Sequence, residues 1–370
     1  MNRLRRCGLD AQQSKALEFA DGVRANNREQ RVPRFPSFSV IVEWENARQA
    51  GVARATRTLC ELFTQIRELA EEIEKPELIV LYEKGVVAPQ SIETALSSAS
   101  AGHAPVEVKL HATEGSNYYG QKNEGAELAS REYLLFLDSD VVPEPGWLRA
   151  MLGSLQRGVD VVAGSTYVET GSFFGRAFGL FWFFPLRSQS RGLIETNFFF
   201  ANNVIFKRSL FLTCKFPDLP LYRGHCTALA RVLAGRGVRL YQQTDARVAH
   251  PPPFGSHFIH RALSEGYDVT MRARLAGKTK ELGSQELRRQ LEAVRTRINN
   301  RLKQMKVGRG ERAAAMMLGK AYCLLRFTGQ VWAVRSPEHA QRVLGIRTVQ
   351  FFQAGGRAGG QLSSPPLQGS

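Results

Sequence analysis

The run Tyr133-Leu134-Leu135-Phe136-Leu137 is followed at once by Asp138-Ser139-Asp140, and then by prolines at 143 and 145. A stretch this apolar has no polar side to turn to water. As a strand it must be covered on both faces, as in the parallel or mixed sheets of α/β proteins. Proline withholds a backbone donor, so the strand ends just beyond. The two acids therefore stand at the carboxyl edge of a central strand, where open α/β sheets take their ligands. Two carboxylates one residue apart make a hard oxygen site for a divalent cation, and a cation held there can also bind phosphates. The plainer alternative for the same acids is a turn or cap after the strand.

The neighbouring sequence alternates in the same way. Short apolar strands are predicted at 39–42, 78–81, 106–110, 159–164 and 238–241, with helices over 46–74, 92–100 and 225–234. A Gly-containing loop leads into a helix over 115–131. Strands alternating with helices imply a Rossmann-like layered sheet. Residues 1–36 are polar and close with Pro33 and Pro36. Arg247-Val248-Ala249-His250 runs into three prolines, a natural domain end. The central α/β domain is thus read as 37–253. Residues 173–186 are dense in aromatics and have two readings: a core helix packed under the sheet, or a face toward an apolar acceptor or a bilayer.

Beyond 253 the pattern turns helical. Leu287, Leu291, Val294, Ile298, Leu302 and Met305 recur at steps of three and four, which predicts an amphipathic helix. Residues 313–334 are mostly apolar and long enough to span a bilayer. Lys320 and Arg326 in its middle would cost several kcal/mol on insertion, so an interfacial or protein-packed helix is expected. The extension is read as 254–352, followed by a Gly-, Ser-, Gln- and Pro-rich tail, 353–370, expected to be disordered.

Net charge is +16, unevenly placed. Residues 254–370 hold 20 Lys/Arg against 7 Asp/Glu, while 37–253 hold 22 against 23. A basic helical end attracts anionic surfaces, and an anionic membrane is the expected one. Nucleic acid is not expected as a partner, because the excess charge lies outside the α/β domain and no RNA- or DNA-reading motif is present. The five cysteines are odd in number and lack C-x-x-C spacing, which argues against a disulfide framework or structural zinc. No apolar signal core precedes Gln12. A cytoplasmic protein, peripheral at the inner face of a membrane, is the expectation.

In order and spacing, residues 37–253 resemble the family 2 glycosyltransferases, which have the GT-A fold. Asp138-Ser139-Asp140 matches the family's D-x-D. Gly120-Gln121-Lys122-Asn123-Glu124-Gly125-Ala126 is similar to its A-R-N-x-G segment, with Lys122 for Arg. Glu83 matches an acidic position after the second strand, and His250 resembles a late His near the metal or diphosphate. The resemblance implies a GT-A Rossmann-like mixed sheet flanked by helices, here with a basic α-helical C-terminal extension. It implies transfer of a sugar, with inversion, from a UDP-, GDP- or dTDP-sugar to a lipid-linked, polysaccharide or other hydroxyl acceptor, assisted by Mg²⁺ or Mn²⁺. Glu83, Lys122, Asn123, Asp138 and Asp140 would bind the donor. Asp138, Asp140 and His250 would hold the metal.

The chain departs from the family at three places. Glu43-Trp44-Glu45-Asn46 stands where P-T-Y-N is usual, and Tyr82 replaces the second strand's first acid. His225-Cys226 occupies the slot of an E-D pair whose Asp is the catalytic base. His225 is the first substitute, since imidazole titrates near neutrality and a helix amino terminus favours its neutral form. Glu195 and Asp218 are fallbacks. The missing carboxylate also opens an alternative: a non-catalytic GT-A scaffold that binds nucleotide sugar or a partner.

Overall fold

The computed structural model describes residues 34–100, 105–278 and 282–347. The readings of the 1–36 segment before Arg34 and of the 353–370 tail lie outside the described residues. Four parallel strands form one half of the sheet, in the order β3 (Glu107–Thr113), β2 (Glu77–Glu83), β1 (Phe38–Glu43), β4 (Tyr133–Asp138). The other half continues with β8 (Asn203–Lys207), antiparallel to β4. Next come β6 (Val161–Val168), β9 (Leu240–His250) and β5 (Val142–Pro143), while β7 (Leu193–Thr196) pairs with β9. The result is a mixed sheet of nine strands among the described residues.

Every residue of β1 and β4 is buried, as an apolar run covered on two faces requires. Val40, Val42, Leu135 and Leu137 pack on one face, toward α2 (Val52–Glu68), α3 (Pro89–Ser100) and α5 (Trp147–Leu155). Ile41, Leu134 and Phe136 pack on the other, toward α4 (Tyr118–Leu128), α7 (Arg208–Thr213) and α8 (His225–Gly235). The parallel register sets Glu43 directly beside Asp138. The carboxyl ends of β1, β2 and β4 thus bring their acids to one edge.

Two elements differ from expectation. The single helix read over 46–74 is split into α1 (Glu45–Ala50) and α2 by Gly51, whose φ of 94° only glycine adopts easily. The strand read as 238–241 runs from Leu240 to His250. Its polar middle is tolerated because β7 and β6 pair with it, and its length carries His250 to the acidic edge.

The basic helices α9 (Gly255–Leu275), α10 (Ser284–Leu302), α11 (Arg309–Arg335) and α12 (Pro337–Val343) follow. They bury Phe258, Ala262, Ile298, Ala315 and Tyr322 against Ala177, Phe178 and Phe181 of α6 (Phe173–Phe181). The 313–334 stretch is therefore a protein-packed helix. No helix among the described residues is long and apolar enough to cross a membrane.

Helices α9 and α11 meet at two glycines. A Cβ at Gly266 would lie 2.0 Å from the Arg326 carbonyl oxygen, and one at Gly329 would lie 2.1 Å from that of Leu263. Gly266→Ala is expected to destabilise the fold by about 2–3 kcal/mol, because the clash with backbone outweighs the helix-propensity gain of about 1 kcal/mol. The urea midpoint reads this out, and an upward shift would contradict so close a crossing.

Candidate active site

Asp138 ends β4 in a saturated network. The Tyr118 hydroxyl donates to its carboxylate at 2.7 and 2.8 Å, Lys122 Nζ to Oδ1 at 2.8 Å, and Asn46 Nδ2 to Oδ2 at 2.9 Å. Asn46 also donates to both oxygens of Glu43, from its backbone N at 3.1 Å and from Nδ2 at 2.9 Å. Burial, and then the charge of Asp138, push the Glu43 carboxyl well above its usual range. Tyr118 and Lys122 are four apart on α4, so they share one helix face and converge on the same carboxylate.

This geometry corrects two expectations. Lys122 is 0% exposed, and its ammonium lies against Asp138 and 4.8 Å from the Tyr118 ring centre, so it does not reach a phosphate in the cavity. Asn123 points away from the acids. Its Nδ2 donates to the Phe216 carbonyl at 2.9 Å and its Oδ1 accepts from the Phe216 amide at 3.1 Å, which pins that loop. Both side chains are taken up by protein partners.

Asp140 has a different environment. It is buried, and its Oδ1 has no hydrogen-bond partner. Its Oδ2 lies 3.7 Å from His250 Nε2, too far for a hydrogen bond. The His250 Nδ1 is 2.6 Å from the Pro251 carbonyl oxygen, which assigns the ring proton to Nδ1 and leaves a lone pair on Nε2. Burial raises the Asp140 carboxyl pKa and lowers that of His250, and the attraction between the two charged forms opposes both shifts. A buried carboxylate with one oxygen unpartnered and the other 3.7 Å from an imidazole lone pair is a donor set that fits a divalent cation. Among the described residues no group of three or more His, Cys, Asp or Glu gathers for a metal. The pair would supply two ligands, and water or substrate oxygens would complete the shell.

Arg54 of α2 ties these ligands together. Its Nε donates to the Asp140 carbonyl at 2.5 Å, its Nη2 to the Ala249 carbonyl at 2.9 Å, and its Nη1 pairs with Glu169 at 2.6 Å.

The acids open on a cavity of about 200 Å³ whose other walls include Trp182, Phe184, Phe200 and Arg261. A second recess, of about 300 Å³, is lined by Glu45, Arg48, Glu83 and Asn117. Tyr118, Tyr119, Tyr222 and Arg223 border both. The Arg223 guanidinium lies over the Tyr118 ring at 4.2 Å and the Tyr222 ring at 4.4 Å. Asp268 accepts from the backbone N–H groups of Tyr222 and Arg223 at 2.7 and 2.8 Å, which fixes that loop. Burial pushes the Asp268 carboxyl up to about 7 even against those bonds. Sequence reading missed Tyr118, Arg54, Asp268 and Arg223. Only Arg223 left a signal, a cation just before the expected E-D slot.

His225 is also displaced from its expected role. It opens α8 at 1% exposure, stacked on the Tyr119 ring at 4.0 Å, and it does not line the cavity. Burial, then Arg223, holds its pKa down to about 3. Behind the wall, the ring is out of reach of a hydroxyl held within the cavity. Cys226 does line the cavity, but burial pushes its thiol up to about 11. Glu195 and Asp218 are exposed and line neither recess. His257 is on the cavity wall, its pKa held down to about 3 by burial and then by Arg261. The aromatic stretch 173–186 divides: Phe178 and Phe181 are core, Trp182 to Phe184 line the cavity, and Phe173 and Phe174 are exposed.

Residues 93–213 match the family model described as Glycosyl transferase family 2. Among solved structures, the chain is similar to the mannosyltransferase PcManGT from Pyrobaculum calidifontis in complex with GDP-Man and Mn²⁺. Identity is 14% over 86% of this chain and 94% of that one, with a TM-score of 0.50. It is also similar to S. aureus TarS 1–349 in complex with UDP-GlcNAc, at 12% identity over 81% of this chain and 92% of that one, with a TM-score of 0.46. No curated protein matches the sequence. The mixed sheet between helical layers, with helices appended after it, is the GT-A arrangement.

Proposed function

This chain carries a family 2 glycosyltransferase domain on a GT-A fold, and from that premise we propose that it moves a sugar from a nucleotide-sugar donor to a hydroxyl acceptor with help from Mg²⁺ or Mn²⁺. The observation that carries the reading is the buried Asp140 carboxylate, with Oδ1 unpartnered and Oδ2 3.7 Å from the His250 Nε2 lone pair, at the sheet edge where ligands bind. Asp140 and His250 would hold the cation, which when bound supplies Lewis-acid neutralisation of the departing diphosphate. Lys122 neutralises Asp138, so Asp140 is spared the repulsion of a bare neighbour. The nucleotide takes the recess of Glu45, Arg48, Glu83 and Asn117, and Arg223 at the junction faces the diphosphate.

His257 accepts the proton of the attacking hydroxyl. Among the acids and imidazoles on the cavity wall, Asp138 is saturated, while Asp140 and His250 are assigned to the cation. Burial is the larger cause of the lowered His257 pKa and Arg261 the next, and a bound anionic donor, which favours the protonated ring, raises it against both. The aromatic wall suits the face of a sugar or an isoprenoid chain, so a glycan or a lipid-linked molecule is the acceptor class. Exposed Phe173, Phe174 and Phe254, together with the basic helices, support docking at an anionic membrane surface.

The test is release of nucleoside diphosphate from a panel of UDP-, GDP- and dTDP-sugars, with and without each metal. One donor is expected to raise the melting temperature and to turn over only with metal. His257→Ala should lower kcat about 10²-fold with little change in donor KM. A panel in which a donor binds but none turns over would leave the non-catalytic scaffold, which the His225-Cys226 replacement favours.

A further inference from the structure

The nucleotide recess has a wall made by Gly345, Ile346 and Arg347, from the far end of the described chain. This segment is anchored. Leu344 and Ile346 are buried at 4% and 6% exposure in a cluster with Tyr267, Ala333 and Ala340, and the alternate residues Gly345 and Arg347 are left exposed. Gly345, at φ 61°, makes the left-handed turn that ends α12. Three side chains hold its carbonyls: His260 Nε2 lies 2.9 Å from that of Leu344, Gln341 Nε2 donates to Ile346 at 3.2 Å, and Asn117 Nδ2 donates to Arg347 at 2.8 Å. Asn117 is the N-cap of α4, its Oδ1 accepting from the amides of Tyr119 and Gly120. The Arg347 guanidinium is ion-paired through Nη1 with Glu83, the carboxylate that ends β2.

The charged side chains on this recess are three arginines, 48, 223 and 347, against two glutamates, 45 and 83. Without Arg347 the lining is neutral overall, and Glu83 faces the recess bare. We propose that Arg347 is a donor-binding residue: it masks Glu83 and offers its remaining N–H groups to the phosphates of a nucleoside diphosphate. The assignment rests on the reading of this recess as the nucleotide site. The Arg347 side chain is 47% exposed, and so open an ion pair adds little to stability, so the fold does not need it.

Calorimetric titration of the full chain with UDP and GDP in Mn²⁺, and with uridine and guanosine, tests this. Arg347→Ala is expected to weaken diphosphate binding about tenfold, Arg347→Glu to weaken it further, and Arg347→Lys to restore part. Nucleoside binding and melting temperature should not move. Adding Glu83→Gln to Arg347→Ala should recover part of the lost affinity, because the unmasked charge is gone. Diphosphate affinity unchanged by Arg347→Ala would overturn the assignment alone, and a rise would make Arg347 a plug and overturn it equally. Wild-type protein that binds neither diphosphate would overturn the nucleotide-site reading and the assignment with it.

Discussion

Asp140→Ala is expected to reduce metal-dependent release of nucleoside diphosphate about 10³-fold or more. Leaving-group charge must be neutralised as the glycosidic bond breaks, and that is worth several kcal/mol when a cation does it. Asp140 contributes a buried oxygen, Oδ1, that has no hydrogen-bond partner, and its other oxygen lies 3.7 Å from His250 Nε2. Asp140→Asn keeps the shape and loses the charge, so it should fail nearly as badly. Neither change should harm the fold. A carboxyl whose pKa is raised by folding costs stability as pH rises through that value, and the Asp140 carboxyl is raised. At neutral pH, Asp140→Asn is therefore expected to melt at or above the wild-type temperature, as sites that favour function over stability do. Activity within tenfold of wild type in saturating Mn²⁺ would end the assignment of Asp140 to the cation.

Lys122→Met is expected to destabilise the protein by about 3–5 kcal/mol, the usual cost of leaving a buried charge without its partner. Lys122 is enclosed, and Asp138 would keep only Tyr118 and Asn46 while facing Glu43 and Asp140. Removing both charges, in Lys122→Met with Asp138→Asn, should recover more than half of that loss, because the remaining amide can still bond to Tyr118. Urea denaturation of the two singles and the double measures the coupling. A loss below about 1 kcal/mol in Lys122→Met would show that solvent reaches Asp138 and that the network is not closed.

The residues that sequence reading put at strand ends lie where it put them. Asp138 closes β4 with Asp140 just beyond, and Glu83 closes β2, whereas His250 closes β9, a strand expected to end at 241. A strand end is legible because an apolar run must stop where its cover stops. The residues assigned on helices were less secure. Lys122 and Asn123 are neighbours in sequence, yet one faces Asp138 and the other the Phe216 loop, since adjacent positions on a helix are about 100° apart. His225 was placed by its slot in a motif. A slot gives no facing, and the ring packs behind the wall on Tyr119.

By itself the sequence determined a covered central strand ending in acids, the alternation that builds an α/β sheet, and a basic helical end, because hydrophobic periodicity and charge are local properties of a chain. Only the tertiary structure decided which polar groups share a site. Asp140 meets His250 because β5, just after it, pairs antiparallel with the end of β9, and Glu83 meets Arg347 because α12 returns the chain to the end of β2. Strand order, register and helix facing set those meetings, and all three come from packing the whole chain at once.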